Sequence, residues 1–347
     1  MNMTNLRSLL GKLLLMAFVV SPFGENLEAT THEFYKGRTI RLVVGFSAGG
    51  GFDTYSRLIA RHIGKHIPGH PTVIVENMTG AGSRIAANQL YKVAKPDGLT
   101  MANFMGSILL DPILGRPGAE YEALKFEFLG TPQKDHRLCV LTKSSGITSV
   151  EKWMASKTPV KLGGVSPGVG LDDGAKVAKA ALGLPIQLVS GYKGTAEIRL
   201  AAEGGEVAGA CGWGWDSVRA TWAKAIESGD AVVVLQSRPM PHPELPHVPL
   251  AMKLAKTDEA RQLIKAGVND PADMNRVYAL PPGTPKNRVQ LLRKAFSETM
   301  MDTEFLADAK KTKLDLDPVT GEELEKTIAG FFKQDPALIA KLKEVLK

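Results

Sequence analysis

The clearest hydrophobic pattern in the chain runs from Thr39 to Ile67. Ile40, Leu42, Val43 and Val44 make a short β-branched run of strand length. Ser47-Ala48-Gly49-Gly50-Gly51 then breaks any regular element. Beyond it Tyr55, Leu58, Ile59, Ile63 and Ile67 recur at helical spacing, with Arg57, Arg61 and Lys65 between them. The pattern predicts strand, glycine loop and helix, with Asp53 as candidate N-cap. Free amides at a helix start behind a glycine loop make a candidate anion site.

The alternation continues. Pro71 to Asn77 predicts a second strand that ends in the small residues Thr79-Gly80-Ala81-Gly82-Ser83. A helix with Ile85, Ala86, Leu90 and Val93 on one face follows, and then a third strand, Leu99 to Phe104, ending at Met105-Gly106-Ser107. Such a β-α-β-α-β order predicts a mostly parallel sheet flanked by helices. Ligands in such sheets lie beyond the carboxyl ends of the strands, where all three small-residue loops fall.

Phe126 to Gly130 and Arg137 to Thr142 are further predicted strands. A second unit then repeats the opening order. Ser149 to Lys157 reads as a short helix, and Val160 to Gly164 as a strand breaking into Val165-Ser166-Pro167-Gly168-Val169-Gly170. Ala175, Val177, Ala178, Ala181 and Leu182 mark the next helix. Ile186 to Val189 is a strand ending at Ser190 to Thr195, and a helix runs on to Glu203. Glu206 to Ala210 is expected as a strand that ends in the loop Cys211-Gly212-Trp213-Gly214-Trp215-Asp216, with Ala231 to Leu235 as the next strand. The proline-rich stretch Arg238 to Pro243 carries the chain back to the first unit, where Tyr278 to Leu280 is a strand. Thr284 is expected to cap a helix starting at Pro285, and Thr320-Gly321-Glu322-Glu323 reads as a capping box.

Composition changes this picture at the N-terminus. Arg7 and Lys12 precede the apolar run Leu13 to Val20, and Leu27-Glu28-Ala29 offers a cleavage site. Residues 1–29 are expected to be a signal peptide cleaved near Ala29, which places the mature chain in the periplasm. The run is too short to span a bilayer, which takes roughly 20 residues. The net charge of +7 is scattered and forms no basic block of nucleic-acid type. Cys139 and Cys211 are the two cysteines, and both a disulfide and buried free thiols fit their apolar, strand-like surroundings.

Catalytic chemistry has one candidate. Gly45-Phe46-Ser47-Ala48-Gly49 matches the G-x-S-x-G nucleophile elbow, with Asp216 and His242 or His247 in the chain order of a hydrolase triad. Only a short stretch precedes its strand, however, and Gly50 and Gly51 widen the turn that should pin the serine. No Walker lysine follows the glycines, and Thr54 stands where the dinucleotide fingerprint needs glycine, so no cofactor is expected. His62 and His66 are one helical turn apart, but Ile63 replaces the glutamate of a zinc helix and Pro68 intervenes before His70. A half-exposed helix face is the expectation there, with no metal. Trp213 and Trp215 would share one side of an extended segment, as a ligand wall or as core. Lys193 and Arg84 could each pair with a carboxylate, on a ligand or within the fold.

Taken in order, several motifs resemble one family. Tyr35-x-Gly37-Arg38-x-Ile40-Arg41-x-Val43-Val44 and Phe46-x-Ala48-Gly49-Gly50-Gly51-x-Asp53-x-x-Ser56-Arg57 resemble the opening of TctC/Bug-type solute-binding proteins of tripartite tricarboxylate transporters. Val75-Glu76-Asn77-x-x-Gly80-Ala81-Gly82, Pro96-Asp97-Gly98-x-Thr100, Tyr192-Lys193-Gly194-Thr195, Gly205-Glu206-Val207 and Pro281-x-Gly283-Thr284-Pro285 follow in the same order. The resemblance implies an α/β, two-domain type II periplasmic-binding-protein (Venus flytrap) fold. It implies residues 30–133 with 246–347 as a discontinuous first domain and 134–245 as the second. It further implies a non-catalytic monomer that holds a small carboxylate between its lobes and delivers it to integral-membrane permease subunits.

Carried over, the ligand-binding residues are Ser47, Ala48, Gly49, Gly50, Gly51 and Phe52; Gly80, Ala81, Gly82 and Ser83; Ser107; Val165, Ser166, Gly168 and Gly170; Tyr192, Lys193, Gly194 and Thr195; and Trp213 and Trp215. Two stretches depart from the family. The second-domain loop lacks its serine-rich run and histidine, and Gly212-Trp213-Gly214-Trp215 is unusual. Citrate is therefore not assumed, and an aromatic or branched acid, or an uncharged ligand, fits the same frame. A sensory module on this fold is the remaining alternative.

Overall fold

The computed structural model describes residues 34–347; the expected signal peptide lies outside them. Two mixed sheets form the two lobes. The first sheet takes β1 (Thr39–Val44), β2 (Thr72–Asn77), β3 (Thr100–Met105) and β4 (Glu127–Thr131). The second takes β5 (Arg137–Thr142), β6 (Val160–Gly163), β7 (Ile186–Val189), β8 (Gly209–Gly214) and β9 (Ala231–Ser237). The chain then returns to the first sheet with β10 (Arg276–Leu280) and β11 (Val319–Thr320). Strand order is β11-β4-β10-β3-β1-β2 in one sheet and β7-β6-β8-β5-β9 in the other.

Each sheet is parallel where helices join successive strands and antiparallel around the strands that cross between lobes. β1 pairs in parallel with β2 and β3, while β10 runs antiparallel to β3 and β4. β6 is parallel to β7 and β8, whereas β5 is antiparallel to β8 and β9. β3, β5 and β10 are buried along their whole length, as strands covered on both faces must be. Helix Pro336–Leu346 ends against the second lobe, where Lys176 Nζ donates to the Leu346 carbonyl at 3.2 Å.

Several predicted boundaries move. Asp53 does not cap its helix. Gly50 is the N-cap of Gly51–Ile63, and Asp53 lies in the first turn with its carboxylate folded back to accept the Gly49 N–H at 2.9 Å. Thr284 does not cap either: its hydroxyl donates to the Pro281 carbonyl, and the helix Lys286–Met301 starts after Pro285 without a side-chain cap. The capping box is present, with Thr320 Oγ1 accepting from Glu323 N–H and Glu323 Oε2 accepting from Thr320 N–H. β8 extends through Gly214, so the Cys211 to Gly214 stretch is strand rather than loop. Among the described residues, no helix is long and apolar enough to cross a membrane.

Cys139 and Cys211 face each other across β5 and β8 and are bonded, closing a loop with a sequence separation of 72. A cross-link this wide removes much of the unfolded chain's freedom. Reduction with dithiothreitol, or Cys139→Ala with Cys211→Ala, should therefore lower the unfolding free energy by about 2–4 kcal/mol. Urea unfolding with and without reductant checks this, and coincident midpoints would show that the bond contributes nothing.

Candidate functional site

A cavity lies between the lobes. The first turns of four helices open on it: Gly51–Ile63, Gly170–Leu182, Thr195–Glu203 and Trp215–Ser228 contribute Gly51, Leu171, Thr195 and Ser217. Its walls are largely apolar, with Phe46, Phe52, Met105, Val165, Val169 and Trp213. Ser47 and Gly50 from the first lobe meet Gly194 and Thr195 from the second. A Cβ on Gly194 would lie 3.0 Å from Ser47 Oγ, and one on Gly50 would lie 3.6 Å from Thr195 Oγ1.

The floor is a buried charge cluster at the starts of β5 and β10, the strands with which the chain enters the second sheet and rejoins the first. Asp135 and Arg137 flank the outward crossing into β5, and Asn275 and Arg276 form the return into β10. Arg137 spends all three guanidinium nitrogens: Nη1 donates to the Gly212 carbonyl at 2.7 Å, Nη2 to Asn275 Oδ1 at 2.6 Å, and Nε faces Asp135 at 3.3 Å. Asn275 Nδ2 closes the ring on Asp135 Oδ2 at 2.6 Å. Arg276 Nη2 lies 3.0 Å from Asp216 Oδ2, and its guanidinium stacks over the Tyr55 ring at 4.5 Å. These five residues are at most 6% exposed.

Burial and pairing compete at each charge. Burial works against the Arg276 cation, but Asp216 and Asp135 outweigh it and hold its pKa above the ordinary arginine value. Arg137 is pushed down by burial, with Asp135 opposing. Asp216 is pushed up by burial, with Arg276 opposing. The glycines beside this cluster make room for it. A Cβ on Gly51 would stand 2.9 Å from Arg276 Nη2, and one on Gly170 would stand 2.7 Å from Arg137 Nη1.

The helix starts are not bare anion sites. Each carries an acidic residue in its first turn. Asp53 takes the Gly49 N–H, Asp172 the Val165 N–H at 2.6 Å, Asp173 the Gly168 N–H at 3.1 Å and Glu197 the Lys193 N–H at 2.8 Å. The macrodipole and the loop amides are thus partly answered from within the chain.

Of the expected ligand residues, Ser47, Gly50, Gly51, Phe52, Val165, Gly194, Thr195 and Trp213 line the cavity. Ala48 and Gly49 face outward. Gly80, Ala81, Gly82, Ser83, Ser107, Ser166, Gly168 and Gly170 do not line the cavity, and most of them gather at one flank of the lobe junction. There Ser107 Oγ donates to the Gly168 carbonyl at 2.5 Å, and a Cβ on Gly82 would meet Ser166 and Val169. Arg84 bridges the same junction, donating to Asp111 at 2.6 Å, the Ala81 carbonyl at 2.8 Å and the Pro167 carbonyl at 2.6 Å. Arg116 completes it, reaching Asp173 of the second lobe at 2.8 Å and Asp111 at 3.4 Å. Burial raises the pKa values of Asp111 and Asp173, opposed by these arginines.

Tyr192 bonds Glu206 and Lys193 is exposed, so neither reaches the cavity. Trp215 also points away, its Nε1 donating to Glu244 at 2.7 Å. Trp213 is wall and core at once, stacked on Trp222 at 5.4 Å. Of the triad candidates, Ser47 lines the cavity while Asp216, His242 and His247 do not; His242 packs against His136 and Trp215. His62, Asp302 and Glu304 approach one another closely, but Lys65 Nζ holds both carboxylates, at 2.9 and 2.7 Å, which satisfies that acidic pair without a metal. Asp135, Arg137, Ser217, Asn275 and Arg276 were not expected from the sequence. The available signal was a charged residue opening each of two otherwise apolar strands.

Arg116 ties the lobes through buried ion pairs, and removing one partner of such a pair leaves the other charge uncompensated. Arg116→Ala should cost about 3–5 kcal/mol in urea unfolding and increase the radius of gyration in solution scattering. An unchanged profile in both would show that the junction does not hold the lobes.

No protein-family model matches the chain. A curated protein of Cupriavidus necator, described as a UPF0065 protein in the gbd 5' region, is 27% identical over 88% of each chain. The structure of the periplasmic binding protein BugD superposes with a TM-score of 0.72 at 21% identity, covering 90% of this chain and 98% of that one. MatC from Rhodopseudomonas palustris with bound malate gives a TM-score of 0.68 at 20% identity, covering 90% and 99%. The chain therefore has the two-lobed fold of the Bug-type periplasmic binding proteins, and along nearly its whole length it resembles the TctC/Bug family.

Proposed function

We propose that this chain is a periplasmic solute-binding protein that captures a small organic acid between its lobes and hands it to the permease subunits of a tripartite tricarboxylate-type transporter. The observation that carries the reading is the cavity itself, closed by residues of both lobes and floored by the two chain crossings. A ligand seated there touches both lobes at once, so it favours the closed form by its differential contacts. Arg276 lines it with Nε and Nη1 lacking a hydrogen-bond partner. The malate in MatC supports an acid as ligand. The lobes are taken as residues 30–133 with 246–347, and 134–245. The signal peptide, the monomeric state and the absence of catalysis belong to the same reading.

Ligands that bind only the folded state raise its melting temperature by mass action. A thermal-shift screen of the mature protein against mono-, di- and tricarboxylates and neutral metabolites should give hits among the acids. Deletion of the gene should abolish uptake of the compound that hits. Hits confined to neutral compounds would overturn the acid class, and turnover of an ester substrate that disappears in Ser47→Ala would overturn the binding-protein reading.

A further inference from the structure

The cavity contains two arginines, and their commitments differ. Arg137 has all three guanidinium nitrogens engaged within the fold. Arg276 is 2% exposed, lines the cavity, and has Nε and Nη1 without a hydrogen-bond partner. A buried cation with unmade donor bonds carries a penalty that an acceptor entering the cavity removes. Its Nη2 lies 3.0 Å from Asp216 Oδ2, and neither Asp216 oxygen has a hydrogen-bond partner of its own.

The surrounding charge limits what that acceptor can be. Arg137 and Arg276 are matched by Asp135 and Asp216, so the floor is neutral before any ligand arrives. The four helix starts each bring their own carboxylate. A single negative charge can be met by the spare face of Arg276 and the amides behind Gly50 and Gly51. Second and third charges would stand against apolar walls and near buried aspartates, where desolvation is not repaid. The remaining wall of Phe46, Phe52, Met105, Val169 and Trp213 suits a compact apolar or aromatic body.

Resting on the solute-binding reading above, we propose that Arg276 is the residue that receives the ligand's acid group, and that the neutral floor restricts the ligand to a monocarboxylate with an apolar body. Asp216 acts as the counter-charge that sets this limit.

Calorimetric titration of the full mature protein tests it, with benzoate and isovalerate as monocarboxylates, succinate and citrate as multiply charged acids, and benzamide as a neutral control. The wild type should bind a monocarboxylate and reject succinate and citrate. Arg276→Gln should weaken that binding about ten- to a hundredfold, the scale of a lost charge-assisted bond. Asp216→Asn removes one negative charge from the floor and should bring succinate binding up by about tenfold or more. Because Arg276→Gln leaves Asp216 buried alone, Arg276→Met with Asp216→Asn provides a charge-balanced variant, which should fold and still lose the monocarboxylate. Wild-type preference for succinate or citrate, or full monocarboxylate affinity in the balanced variant, would overturn the proposal while leaving the solute-binding reading intact. Binding of benzamide in place of benzoate would do the same. No heat and no thermal shift with any of the three classes would overturn both.

Discussion

The junction of the lobes depends on charge balance among buried groups. Arg137, Arg276, Asp135 and Asp216 are all buried, and Asn275 links one pair across the two crossings. Ions removed from water must be paired, and here the pairing still leaves Arg276 Nε and Nη1 and both Asp216 oxygens without a hydrogen bond. This requirement dictates much of what surrounds them: small residues at Gly51, Gly170 and Gly214, an aromatic face under Arg276, and a carbonyl at Gly212 turned toward Arg137. The cluster also lies where the chain passes between lobes. If the lobes turn about these strand starts, as the proposed function requires, a ligand at the floor would lie at the axis of that motion.

A second buried network closes one flank. Arg84, Asp111, Arg116 and Asp173 join helix starts and loops from both lobes. Opening would return these groups to water, which recovers much of what the pairing gives. Such a junction fixes the closed geometry more than it adds energy to it. The loop 165–170 is held there by Arg84 at Pro167 and by Ser107 at Gly168, so Val165 and Val169 reach the cavity from a backbone already in place.

Periodicity made the elements legible. The run Ile40 to Val44, the helical spacing from Tyr55 to Ile63 and the capping box at Thr320 all appear where the pattern placed them. The glycine loops and the family resemblance together located Ser47, Gly50, Gly194 and Thr195 at the cavity. Partner choice was not legible. Asp53 looked like a cap because its side chain suits one, yet Gly50 takes that role and frees the carboxylate to hold Gly49 and Arg57. Asp135 and Asn275 are 140 residues apart in sequence, and only the two crossings bring them together. Trp213 and Trp215 alternate on paper, but β8 ends between them, and the helix that begins at Trp215 turns the second ring away.

The carboxylates at the four helix starts have a consequence for how a ligand arrives. An open anion trap would project its field beyond the mouth and draw acids in from a distance, at a rate sensitive to ionic strength. Here each dipole is answered locally, by Asp53, Asp172 and Asp173, Glu197 or Asp216. Little of that field survives past the roughly 8 Å over which physiological salt screens charge. If the chain captures a solute as proposed, the choice is made after contact, during dehydration and closure, and discrimination resides in how long each solute stays rather than in how often it is met.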